Sequence, residues 1–219
     1  MPNTDICSTL EQILKDSPAP RSSSFWEKYN SIGELDLEQF MTLSAGASRR
    51  LGRDKLEFDQ KSCTVFNDFP VDLQQHSKGF AGRILLAAAA KPAFLREMIG
   101  RGDDEEQAAA ILSLNLRNDG ADYKDNVVHA CRTNSTTVFS AVSQNNPYAA
   151  SYFSDHEFKQ LTMKTIFMGL EFTAIHGLEE RFHGDLGQSL TDFFDERRAA
   201  GRWLPDSVLD FMKTKGLLK

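Results

Sequence analysis

The chain has 219 residues, enough for one sizeable core, and no linker-like tract divides it. Hydrophobic residues make up 41% and charged residues 26%, as in ordinary globular proteins, so neither disorder nor a disulfide scaffold is expected. A net charge of -6 gives no electrostatic reason to expect nucleic acid.

No apolar run approaches the length that spans a bilayer; the longest, Ile84 to Ala90, is mostly alanine. The opening Met1-Pro2-Asn3-Thr4-Asp5 has no basic region followed by an apolar one, so no signal peptide is expected. Cys7, Cys63 and Cys131 are widely separated and read as free thiols in a reducing compartment, which points to the cytoplasm.

In chain order, Ile6, Leu10, Ile13 and Leu14 repeat at helical spacing until Asp16-Ser17-Pro18 stops them. Arg21-Ser22-Ser23-Ser24 reads as a flexible connection into Phe25. Leu37, Phe40, Met41 and Ser44 form the next amphipathic helix, ending near Gly46. Residues 48 to 76 mix a basic turn (Arg49, Arg50, Arg53, Lys55) with Phe58, Phe66 and Phe69, and read as loop with short helical pieces. From Ser77 the pattern is regular: Phe80, Ile84, Leu85 and Ala88 share a face, Pro92 opens a following helix and Gly100-Arg101-Gly102 ends it. Asp103-Asp104-Glu105-Glu106 then places acids where the next helix begins, favourable against its dipole.

Val128, Cys131, Ser135, Val138 and Val142 make a stripe about five turns long, broken at Asn145-Asn146-Pro147 because a residue before proline avoids helical angles. Met163, Ile166, Phe167 and Leu170 form the next stripe, Leu186, Leu190, Phe193 and Phe194 a further one, and Val208, Leu209 and Met212 the last. β-branched residues alternate nowhere over a convincing run. The expected fold is all-α, one domain over residues 1–219, either stacked helical hairpins or an irregular bundle.

The acidic run is compared with the aspartate-rich magnesium motif of terpene synthases, but it opens a helix and no second metal motif follows; solvation of the helix N-terminus accounts for it. His76, His129, His156, His176 and His183 show no zinc-ligand spacing, and neither a nucleophile elbow, a phosphate loop nor a dinucleotide fingerprint is present. No cofactor and no metal are therefore expected.

What remains is polar placement. Arg132 and Asn134 border the 128–142 stripe, where a buried guanidinium or amide needs a partner from a ligand or from the Asn145–Tyr152 loop. His156, Gln160 and Lys164 form an i, i+4 row, with Lys164 crowded by Met163, Ile166 and Phe167. Tyr148 and Tyr152 at the break add phenolic donors.

The segments Arg132–Phe139, Asn146–Phe153, Phe158–Lys164, Gly177–Arg181 and Glu196–Arg202, with a weaker echo in Ser48–Gly52, resemble the EboA-domain family of secondary-metabolite gene clusters, most strongly over 126–212. The resemblance implies an all-helical protein that helps make or move hydrophobic precursors. Lys159, Thr165 and residues 59–76 depart from the family pattern and leave room for a specialised ligand.

The expected function is enclosure of a hydrophobic terpenoid or polyketide-like intermediate in secondary-metabolite biosynthesis. Two outcomes stay open: a cofactor-independent cyclase or pericyclase of Diels-Alderase or isomerase type, and a non-catalytic carrier or scaffold that contacts other pathway proteins. A helical interaction module is a third. Catalysis would fall to Arg132, Lys164 and Tyr148 as donors. His129, Asn134, Phe139, Tyr152 and Phe167 would line the substrate, in a cavity between the helix of Arg132 and the helix of Lys164.

Overall fold

A computed structural model describes residues 4–17, 19–58, 62, 65–66, 69 and 72–218. Thirteen α-helices carry the described residues: α1 Thr4–Asp16, α2 Ser22–Asn30, α3 Leu37–Ala45, α4 Ala47–Leu51, α5 Lys78–Ala89, α6 Pro92–Arg101 and α7 Asp104–Ser113. They continue as α8 Lys124–Ala130, α9 Thr136–Ser143, α10 Tyr148–Tyr152, α11 Asp155–Phe167, α12 Gly184–Ala199 and α13 Asp206–Thr214. Four short 3₁₀ turns punctuate them. Among the described residues there is no strand, only an isolated antiparallel bridge between Lys55 and Ser77, and the fold is all-α as the periodicity predicts. No helix among them is long and apolar enough to cross a membrane.

Two compact units divide the chain, Met1–Val142 and Ser143–Lys219. The first is organised around α5, where every residue from Gly79 to Ala87 is buried. An all-round apolar helix belongs in a core, and α5 packs against α1, α3, α4 and α7. Helix α7 starts as its acids require: the Asp103 side chain accepts from Glu106 N at 2.8 Å and Glu106 Oε2 accepts from Asp103 N at 3.0 Å, a reciprocal capping box.

Two segments differ from the sequence reading. The serine run is not a flexible connection: Ser22 and Ser24 donate to Ala19 O and Arg21 O, and α2 forms because Phe25 buries completely beside Trp26 and Tyr29. The 128–142 stripe is two helices. Thr133 Oγ1 accepts from Ser135 N at 3.0 Å and Ser135 Oγ from Val138 N at 3.3 Å, so hydroxyl side chains compete with the helical ladder and start α9 afresh. Between 48 and 76, the stretch after α4 folds back on the start of α5, with Lys78 N donating to Asp54 O and Gly79 N to Gly52 O. Residues 59–61, 63–64, 67–68 and 70–71, within the stretch read as loop, lie outside the described residues, as does Cys63.

In the second unit α11, α12, α13 and the 3₁₀ turn Phe172–Ala174 enclose a core of Phe158, Leu161, Phe172, Leu190 and Met212, with Phe172 and Phe211 edge to face at 5.2 Å. Asn145 adopts φ 53°, a left-handed angle that asparagine tolerates, and Asn146 Oδ1 accepts from Tyr148 N at 3.0 Å to turn the chain into α10.

Each unit carries a helix end closed by an arginine. Arg117 donates through Nη1 to Ala88 O and Ala90 O at 2.8 and 2.9 Å, past the end of α5, while Asp119 receives its other edge at 2.7 and 2.6 Å. Arg181 donates to Ala150 O at 3.0 Å and Phe153 O at 2.8 Å at the end of α10, pairs with Asp155 at 2.6 Å and lies over the Phe158 ring. These satisfy carbonyls that a helix leaves open at its C-terminus. The paired guanidinium holds both the Asp119 and the Asp155 carboxyl below the ordinary aspartate range.

Candidate functional site

Gly79 and Gly82 of α5 set the geometry of a polar cavity. A Cβ at Gly79 would stand 2.4 Å from Ser48 Cα, and one at Gly82 would stand 2.2 Å from Leu51 Cδ1. Only glycine lets α4 approach this closely. Arg83 follows one turn after Gly79, so its side chain enters the seam between α3, α4 and the first turn of α7.

The Arg83 side chain is only 5% exposed, a placement that needs several partners. Nε donates to Ser44 O at 3.2 Å, and Nη1 donates to Ser48 Oγ at 3.2 Å and Glu105 Oε2 at 2.5 Å. Nη2 makes no hydrogen bond among the described residues. Over this group opens a cavity of about 610 Å³, lined by Ala45, Ser48, Arg49, Arg53, Ser77 and Glu105 together with Arg83.

Arg49 and Arg53 are exposed, and neither side chain has a hydrogen-bond or ion-pair partner among the described residues. The neighbouring Arg50 turns away, toward Thr42 O and Leu43 O at the end of α3. Ser77 caps α5, its Oγ accepting from Phe80 N at 3.2 Å, so its hydroxyl proton is directed elsewhere. Next to it His76 stacks on Phe80, and burial holds its pKa below the ordinary histidine value against the opposing charges of Asp72 and Glu105. The lining thus holds three guanidinium groups against one carboxylate, in a protein whose net charge is -6.

A second cavity of about 500 Å³ lies along α1, lined by Ser8, Gln12, Ile13, Asp16, Glu57 and Val65 among others. Among the described residues no group of three or more His, Cys, Asp or Glu side chains stands together as a metal-binding set.

The residues singled out from the sequence sit elsewhere. Arg132 and Asn134 are exposed, on the turn between α8 and α9, because the helix expected to carry them ends at Ala130. They flank the stripe without entering it, and in the second unit the end of α10 is held by Arg181. His129, also in the first unit, is exposed, whereas Phe139 is fully buried in α9. In the second unit Tyr148 is 1% exposed and packs on Tyr152 at 4.7 Å, with Tyr152 reaching the surface. Lys164 is half-buried on α11. Phe167 is 79% exposed, so its place in the apolar stripe is corrected: Thr162, Thr165 and Ile166 face inward there, the threonine hydroxyls satisfied by Phe158 O and Leu161 O. His156 and Gln160 bond each other at 2.9 Å on the outer face, a solvated row.

Arg132→Met should therefore change stability by no more than about 0.5 kcal/mol, since an exposed side chain without partners contributes little. Thermal melting checks this; a large drop would reveal an anchoring contact at Arg132.

The chain belongs to the EboA family: the family model described as metabolite traffic protein EboA matches residues 25–213. No curated protein and no solved structure matches the chain. Arg83 itself escaped the sequence reading. The available signal was a lone arginine inside the otherwise small and apolar run Gly79–Ala90, preceded by two glycines.

Proposed function

We propose that the protein is a carrier in secondary-metabolite biosynthesis, which binds an intermediate with a largely apolar body and passes it unchanged to other proteins of the pathway in the cytoplasm. The observation that carries this reading is the cavity over Arg83, large enough for a small-molecule group and lined to hold the polar end of such a compound, and the family's description as a metabolite traffic protein supports it. Carriage needs affinity and release, with no bound cofactor and no nucleophile. The cyclase reading called for Arg132, Lys164 and Tyr148 as donors to one enclosed cavity; the exposure of Arg132 and the full burial of Tyr148 weigh against that set.

The test is incubation of purified protein with intermediates extracted from the producing cells, followed by mass spectrometry of what stays bound and what stays free. A carrier retains a compound of unchanged mass and retention time in stoichiometric amount. Catalytic disappearance of that compound, with appearance of an isomer, would replace this reading by the cyclase. Retention of nothing would remove both.

A further inference from the structure

We propose that the cavity over Arg83 receives a phosphate or diphosphate group borne by the carried metabolite, an inference that rests on the carrier reading and names the chemistry of its ligand. Four observations converge. Arg83 is nearly completely buried yet keeps Nη2 without a partner, on the wall of an open cavity. Nη2 is not among the buried unpartnered atoms, so it meets the solvent of the cavity, and an oxyanion that replaces this water gains a charge-assisted hydrogen bond.

Arg49 and Arg53 add two more guanidinium groups that no described residue neutralises, and in the same lining Ser48 and Ser77 use their oxygens as acceptors, leaving both hydroxyl protons to donate. The first turn of α5 opens at Ser77, so the positive end of a twelve-residue helix adds to the same field. Three cations against the single Glu105 leave the cavity with two positive charges in excess, which suits a dianion better than a monoanionic carboxylate.

Glu105 occupies the place such a group would take. Its carboxylate holds Arg83 Nη1 at 2.5 Å, but its side chain is 56% exposed and can rehydrate when displaced. It acts as a stand-in for the ligand's oxygen, keeping the buried guanidinium paired when the cavity is empty and competing when it is filled.

The experiment is isothermal titration calorimetry on the full chain with pyrophosphate, a short alkyl diphosphate and acetate. Arg49→Gln and Arg53→Gln remove exposed groups without partners and should fold normally, which a melting curve verifies. Each is expected to weaken diphosphate binding about tenfold, the loss of one charge-assisted contact. Glu105→Gln, which removes the competing carboxylate, is expected to tighten it several-fold. Acetate should not compete. Tighter binding of the alkyl diphosphate than of pyrophosphate supports a carried metabolite as the source, and equal binding overturns that source in favour of the free ion.

Absence of diphosphate binding, or binding that Arg49→Gln, Arg53→Gln and Glu105→Gln leave unchanged, overturns the proposal. If the protein then still retains an uncharged pathway intermediate, the carrier reading survives alone. If it binds diphosphate yet retains no intermediate, the anion site stands and the carrier reading falls.

Discussion

Arg181→Met is expected to lower stability by about 2–4 kcal/mol, the cost of leaving helix carbonyls and a carboxylate without their charged donor. The guanidinium serves Ala150 O, Phe153 O and Asp155 at once, and its plane covers the Phe158 ring, so one change unmakes both the end of α10 and the start of α11. Methionine keeps the apolar stem and removes every one of these donors. On a chain of this length the melting temperature should fall by about 4–16 °C. Arg181→Lys should recover only part of the loss, because a point charge cannot reach carbonyls and carboxylate in the way the planar fork does. An unchanged melting curve for Arg181→Met would show that α10 is held by its buried tyrosine and not by this arginine.

Gly79→Ala is the second large effect, and it separates packing from binding. Its methyl would meet the Ser48 backbone at 2.4 Å, a contact that no rotamer change relieves, so α4 has to move away from α5. Overpacking of this kind costs about 1–3 kcal/mol. Ser48 and Arg49 move with α4, so diphosphate affinity should fall with stability even though no ligating group has been replaced. Gly100→Ala is the control: a Cβ there meets nothing within 4 Å, so affinity should be unaffected and stability should rise by about 0.4–1 kcal/mol from the lost freedom of the unfolded chain. If Gly79→Ala bound diphosphate as well as the parent, the cavity would not depend on the close approach of α4.

The helical class and most helix positions are legible because burial follows the 3.6-residue period, as at Ile6, Leu10 and Leu14 or at the capped acid run before α7. Where polar side chains bond their own backbone, the period misleads. Thr133 and Ser135 cut an apolar stripe that looks continuous, and that cut puts Arg132 and Asn134 in solvent. The serine run before Phe25 fails in the opposite sense: its composition reads as loop, but burying Phe25 outweighs it. The site was illegible for a third reason. Its members come from α4, α5 and the first turn of α7, and only the glycine-allowed contact of α4 with α5 joins them, so no local spacing declares them. Arg49 and Arg53 stand out as a basic turn, but nothing local connects that turn to Arg83, 30 and more residues onward.

The enclosure of α5 on all sides bears on how the cavity moves. Amide protons of a helix buried from Gly79 to Ala87 are expected to exchange only through rare openings of the unit, and Arg83 sits among them. Arg49 and Arg53 lie on a five-residue helix and the bend after it, with their side chains in water. Hydrogen exchange should therefore be slower at the Arg83 amide than at those of Arg49 and Arg53, and equal rates would show that the two sides of the cavity open together.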